Sequence, residues 1–317
     1  MGVSVSSTRF VTLDLSLLPP AKVVEELDFE AILADQKAWV MARWEEVRKK
    51  RPGLPAFDTL GLETEPMTII LESYAFRETI VRGVMNDKAK ASMLAYASGS
   101  DLDHIGAGYD CFRLTRSPAD PTASPPVAAV MESDEDYRSR IQLAPNAFST
   151  LGPAGAYIYW ARTVAPTVKD ANPVSPGVSG KADGRVDVYV AGFDGQPVPD
   201  SDINALVAFF TREDVASLTD IVSVIRAEVL AYDYEAVLQI PRGPDPAAMI
   251  AAATAAVRAY GAERYKIGAT AYAKAMDGAA LRPGAANLIR TAPAGDIECG
   301  PSQIPWLRSV RITTQTI

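Results

Sequence analysis

Arg185-Val-Asp-Val-Tyr-Val-Ala191 sets valine at every second position, and Val168-Lys-Asp-Ala-Asn-Pro-Val174 ahead of it alternates in a similar way. A period of two belongs to a strand with one face in a core, so both stretches read as strands. Their neighbours carry other periods. Pro199 to Thr211 reads as a helix, and Ile221 to Ile240 offers one long strand or two short ones. Upstream, Ser133 with Asp136 three residues on resembles a capping box with Asp in place of Glu, opening a helix to about Leu143, and a further helix starts after Pro153. Downstream a similar order returns. An Ala-rich helix from Asp245 to Tyr265 and a shorter one from Ala271 to Ala280 precede strands at Asn287 to Thr291 and Leu307 to Thr313. This mixture makes an α+β protein, with two small α+β units in tandem at 131–220 and 221–317.

The N-terminal part reads as long helices. Residues 1–27, with Pro19 and Pro20 behind Leu15-Ser-Leu-Leu18, read as an extended arm that needs another surface to lie on. Asp28 is a candidate N-cap for a helix that runs to Arg51, ahead of Pro52. Its seam steps through Phe29, Leu33, Gln36, Val40, Arg43 and Val47 in fours and threes, the heptad spacing of a helix that packs on other helices. Ile32, Trp39 and Trp44 add apolar surface beside that seam. Two indoles exceed what so small a segment can bury by itself, which favours an intermolecular contact. These nine residues are the candidate partner-binding set. The run Arg48-Lys-Lys-Arg51 complements the dipole at a helix end and is not read as a nucleic-acid patch. After the loop from Pro52 to Pro66, a second helix from about Met67 to Ala97 is expected to bury Ile70, Leu71, Tyr74, Val81, Val84, Met85, Ala91 and Ala95. Its wet face carries Glu72, Arg77, Glu78, Arg82, Asp87, Lys88 and Lys90. Gly99 ends it, and a short helix with His104 follows. Residues 28–110 thus form one helical segment, and 111–130, containing Pro118 to Pro126, a linker.

Composition narrows the chemistry. Of 317 residues, 48% are apolar, enough to give each of two or three domains a core. A net charge of -8 argues against a surface that tracks nucleic-acid phosphates. No apolar run reaches the ~18 residues of a spanning helix, and Met1 to Val11 lacks a secretion pattern, so a soluble chain without direct membrane contact is expected. Cys111 and Cys299, with His104 as the one histidine, give neither a disulfide framework nor a zinc set, and a reducing compartment fits. Gly106-Ala-Gly108 follows no strand and is no dinucleotide motif. His104 has no nucleophile motif beside it and reads as a surface or packing residue. Glu132, Asp134, Glu135 and Asp136 crowd a helix N-terminus, where they complement its dipole rather than hold a metal. Asp183-Gly184 and Asp194-Gly195 suit turns, and Cys111, near Arg113 and Arg116, reads as an inert packed thiol. No catalytic residue, cofactor or metal site is expected.

Longer motifs say more. Asp14-Leu-Ser-Leu-Leu-Pro19 with Leu27-Asp-Phe-Glu-Ala-Ile-Leu33, then Leu71-Glu-Ser-Tyr-Ala-Phe-Arg-Glu78 and Leu94-Ala-Tyr-Ala-Ser-Gly-Ser-Asp-Leu-Asp-His104, stand in the first half. Glu132-Ser-Asp-Glu-Asp-Tyr-Arg-Ser-Arg-Ile-Gln-Leu143, Phe148-Ser-Thr150, Gly152-Pro-Ala-Gly-Ala-Tyr157, Leu218-Thr-Asp220 and Asp296 to Pro305 follow. In this order they resemble the baseplate assembly protein J family of contractile-tailed phages over almost the whole chain, most specifically from Glu132 to Tyr157. Tyr109 to Pro126 and Asn172 to Gly180 depart from the family pattern. The resemblance implies a structural protein of the baseplate wedge without an active site, placed in the virion tail after assembly in the bacterial host cytoplasm. It implies that two copies join one tail protein I through N-terminal helices, and that neighbouring wedges close into a ring through the C-terminal domains. A sheath-initiator wedge protein, the central hub and spike, and the tail fibres are the further implied partners. Movement of this ring would then release the sheath. The same wedge role in a phage-tail-like bacteriocin or other contractile injection particle is the nearest alternative, and a tail-associated hydrolase the distant one.

Overall fold

The Asp28 carboxylate accepts from the backbone N–H groups of Glu30 and Ala31 at 2.9 and 3.3 Å, the cap that the sequence predicts. Helix α1 (Phe29–Lys50) grows from it and stops ahead of Pro52, with Arg48, Lys49 and Lys50 in its last turn. The structure is a computed structural model that describes residues 12–19, 21–148, 153–174, 184–212, 215, 220–243 and 245–317. Contacts divide it into two units, Asp14–Gly108 and Tyr109–Ile317, with Thr12 and Leu13 counted in the second.

The first unit holds α1, α2 (Pro66–Ala91) and α3 (Gly99–Ala107). Its core is small. Ile32 and Leu33 of α1 meet Leu60, Leu71 and Ala75, with Phe29, Val40, Met41 and Phe57 partly covering them. Proline starts α2, where its missing N–H costs nothing, and the helix ends at Ala91, short of the expected Ala97. The arm ahead of α1 is not wholly extended, because Asp14 caps a single 3-10 turn at Leu15–Leu17. Farther along, Asn86 of α2 clasps Glu25, accepting from its N–H at 3.0 Å and donating to its carbonyl at 2.8 Å. The surface that this part of the arm lies on is α2 itself. Met1 to Val11 and Pro20 of the arm lie outside the described residues.

The second unit is the α+β part. A short ribbon, β1 (Thr115–Ser117) with β2 (Val130–Met131), leads into α4 (Asp134–Leu143) and α5 (Ala154–Val164). Strands β3 (Val168–Val174), β4 (Arg185–Gly192) and β5 (Ile221–Arg226) form one sheet in the order β3-β4-β5. The pair β3 and β4 is antiparallel; β4 and β5 are parallel, with α6 (Asp200–Phe210) between them in the chain. Val186, Val188 and Val190 are buried on one face, as their alternation predicts. A second sheet, ordered β7-β6-β8, has β6 (Glu228–Ile240) at its centre, antiparallel to β7 (Asn287–Ala292) and parallel to β8 (Gln303–Thr316). Tyr232, Tyr234, Ala236, Leu238 and Ile240 point to one side of it. They join Met249, Ala253 and Val257 of α7 (Pro246–Arg264) and Met276 of α8 (Ala273–Ala280) in one core.

Two expected boundaries move. Ile221 to Ile240 is two strands broken at Ala227, and β5 pairs with β4, so 221–226 belong to the first sheet although a boundary was expected at 220. Pairing across about 35 residues leaves no local mark in the sequence. Nor is 111–116 a linker: the Cys111 carbonyl accepts from Tyr137 Oη at 2.5 Å, and Leu114 exchanges bonds with Glu132 in the α+β unit. Asp183 and the motif residues Ser149 to Gly152, Leu218 and Thr219 fall outside the described residues, as does most of the segment after Val174.

Gly195 needs to be glycine. Its φ is +70°, its N–H donates to Tyr265 Oη at 2.9 Å, and a Cβ there would stand 2.5 Å from the Trp306 ring. Tyr265 in turn donates to the Gly192 carbonyl at 2.8 Å, which pins the turn. Gly195→Ala should destabilise the chain by about 1 to 3 kcal/mol, the scale of a left-handed residue forced on a side chain. Gly61→Ala, with nothing within 4 Å of the new Cβ, should lie within about 0.5 kcal/mol of wild type. Thermal unfolding of both variants checks this, and equal melting temperatures would refute it.

Candidate interaction surfaces

Helix α2 leaves much of its apolar surface uncovered by its own chain. Leu71, Ala75, Thr68 and Asn86 face inward. Met67, Ile70, Tyr74, Val81 and Met85 form an exposed seam on one side, reaching 63% exposure at Met85. Ile69, Phe76 and Ile80 form a second exposed strip, and Val84 lies between the two. The expectation that Ile70, Tyr74, Val81, Val84 and Met85 are buried is therefore corrected. The cause is geometric: apolar residues occupy far more of the circumference than one neighbouring helix can cover, and α1 covers one side. Ile69, Phe76 and Ile80 were missing from the expected set. Their four-and-seven spacing beside the first seam is the signal that marks them.

The nine α1 candidates separate. Ile32 and Leu33 are buried in the unit's own core, and Phe29 and Val40 lie partly buried against it. Gln36 donates to Glu78 of α2 at 2.9 Å. Trp44 donates from its indole to the Pro55 carbonyl at 3.1 Å and tilts against Phe57, while Val47 is half-buried. Arg43 is exposed and paired with Glu46 at 2.6 Å on the same helix. Trp39 stands out at 69% exposure, with its indole open to a partner. Most of the seam thus engages its own chain, and the larger free apolar surface belongs to α2.

Of the acidic residues at the start of α4, Glu132 and Asp136 are buried and Asp134 partly so in one charge network, while Glu135 is exposed. Ser133 caps the helix, accepting from the Asp136 N–H at 3.2 Å and donating to the Asp136 carboxylate at 2.9 Å. That carboxylate also meets Arg116 at 2.8 Å and the Lys169 ammonium, and Arg113 pairs with Asp134 at 2.7 Å. Burial alone would push the Asp136 carboxyl up, but Lys169, Arg162 and the Ser133 bond together hold it below the usual carboxylate range. Arg140, with its side chain 1% exposed, grips both oxygens of Glu132 at 3.1 and 2.7 Å, donates to the Phe112 carbonyl, and touches Cys111 Sγ at 3.2 Å. Burial pushes the Cys111 thiol up, and Tyr159 beside it to about 12, so neither ionises at neutral pH. His104 is exposed on α3. Asp194 and Gly195 do form a turn, closed by Gln196 N–H to the Phe193 carbonyl at 2.8 Å. Among the described residues no three His, Cys, Asp or Glu side chains gather as a metal site, and no helix is long and apolar enough to cross a membrane.

Comparison with known proteins bears on these surfaces. A family model described as the baseplate J-like N-terminal domain matches residues 63–120. Baseplate protein J of Escherichia phage P2 is 37% identical over 303 residues, which is 95% of this chain and 97% of that protein. The chain belongs to the baseplate J family. The part matched by the baseplate J-like model contains all of α2 and α3 and the ribbon strand β1, so the exposed faces of α2 lie inside the family's N-terminal domain. The baseplate J relationship with the phage P2 protein extends through both sheets as well.

Proposed function

We propose that the chain is a structural component of the baseplate of a contractile phage tail, without catalysis of its own. It enters a wedge through its N-terminal helices: tail protein I lies on the exposed faces of α2, and a second copy of the chain completes the helical bundle from the side of Trp39 and Arg43 of α1. The second sheet and its helices, within 228–317, meet neighbouring wedges in a ring around the hub and spike, beside the sheath-initiator protein, and the ring passes the signal from the fibres to the sheath. The observation that carries this reading is the apolar circumference of α2. Nine large apolar side chains open to water on one helix exceed what a free monomer ordinarily exposes, and mark a surface that another protein covers. Identity to a named baseplate protein along 95% of the chain supports the same setting.

Met67, Tyr74, Phe76 and Met85 are both exposed and oxidisable, which makes the reading testable by hydroxyl-radical footprinting. In assembled baseplates their labelling should fall relative to the isolated chain, because a covered interface core excludes water, whereas His104 serves as an exposed reference. Equal labelling of these four residues in the free chain and in the particle would overturn the proposed docking face.

A further inference from the structure

We propose that the α2 face centred on Arg77 takes an amphipathic helix of a different protein, and that this helix sets an aspartate or glutamate against Arg77. The proposal rests on the docking role of α2 given above and adds the chemistry of the occupant. On a helix surface the neighbours of Arg77 are the residues three, four and seven away: Ser73, Tyr74, Ile80, Val81, Ile70 and Val84. All six are exposed, and five of them are apolar. Arg77 is exposed too, and among the described residues no ion pair or hydrogen bond engages its guanidinium. The contrast with Arg82 is sharp, since Arg82 is held by Glu78 at 2.7 Å and Glu25 at 3.1 Å.

A free positive charge therefore sits at the centre of an apolar face. Covering that face removes water from the guanidinium, and a buried charge without a counter-charge is strongly disfavoured. A partner helix uses its backbone carbonyls in its own hydrogen bonds, so the compensating acceptor has to be a side chain. A carboxylate meets both the charge and the forked donor geometry. A second α2 cannot supply it. Two copies centred on Arg77 would bring guanidinium groups together. Glu72 lies five residues back, about 140° around the helix, and Glu78 is already bonded to Gln36 and Arg82. Asp87 of an antiparallel copy would reach Arg77 only with residues 66–72 sliding past Ala91, which leaves Met67, Ile69 and Ile70 uncovered. The seam of α1 in a second copy is engaged with its own α2, so a different protein is the occupant.

The test uses the full chain and two synthetic amphipathic peptides of equal length, with leucine at heptad positions and either glutamate or arginine at the centre. Wild type should bind the glutamate peptide about tenfold or more tightly than the arginine peptide, by fluorescence anisotropy, and Arg77→Glu should reverse that order. Arg77→Met should bind both alike. A variant Arg77→Glu that keeps the wild-type preference, or a wild type that binds both peptides equally, overturns the role of Arg77 while leaving the docking face intact. Binding of neither peptide by wild type and by Arg77→Met overturns the docking face itself. Self-association in sedimentation that is lost in Ile70→Asp would put a second copy on the face and overturn the occupant.

Discussion

Arg140→Met should lower the unfolding free energy by about 3 to 5 kcal/mol, the cost of leaving one partner of a buried ion pair alone. Glu132 is itself buried, and without the guanidinium its carboxylate keeps the Leu114 N–H at 3.2 Å and only the more distant charges of Arg116 and Arg162. The Phe112 carbonyl loses a donor in the same step, and the strap from Cys111 to Leu114 keeps Tyr137 but loses Arg140 as a tie to α4. Glu132→Gln should cost a similar amount. The double variant should cost clearly less than the two together, because the isolated charge is then gone and the lost bonds to the strap remain. Urea unfolding followed by circular dichroism measures all three. An Arg140→Met chain within about 1 kcal/mol of wild type would show that water reaches Glu132 and that the pair is not a structural centre.

Legibility in the sequence follows the range of the interaction concerned. Asp28, Ser133 and Asp245 act as caps through bonds to N–H groups two or three residues away, so composition at a helix start sufficed. Valine alternation in β4 and the apolar alternation of β6 likewise reveal the strand and its buried face. Pairing does not show. The parallel match of Arg185 with Ile221 depends on the crossover by α6, and it moves β5 across the expected boundary. The strap at 111–116 carries Arg113, Thr115 and Arg116 and ends against a proline-rich stretch, so it reads locally as a linker. Its place in the core comes from Tyr137 and Arg140, more than twenty residues on. The interaction surface failed for a related reason. Hydrophobic periodicity identifies the apolar residues of α2 but says nothing about which of them a neighbour in the same chain covers. Heptad spacing in α1 is equally real, yet Leu33 and Val40 meet elements of their own unit. The same distinction changes which substitution probes assembly: Leu33→Asp places a charge in the core and damages the first unit before any partner arrives.

Ile70→Asp with Val81→Asp should instead block assembly and leave the chain folded. Both side chains are exposed on α2, so each change belongs to the class of surface substitutions worth about 0.5 kcal/mol or less to the monomer, apart from a small loss of helix propensity. In a bundle the same positions are covered. Each buried aliphatic side chain contributes about 1.5 to 3 kcal/mol, so the pair removes about 3 to 6 kcal/mol, or roughly two to four decades of affinity. Two carboxylates transferred from water add to that loss, and they stand one turn or two from Arg77, where they compete for it as counter-charges. Co-expression with the neighbouring tail proteins, followed by size-exclusion chromatography, should show the variant eluting free while wild type elutes in a complex. Circular dichroism should give the two chains the same helix content and melting temperatures within a few degrees. A variant that still co-elutes in full yield would mean that α2 faces solvent in the particle, and the covering of its apolar circumference would have to be abandoned.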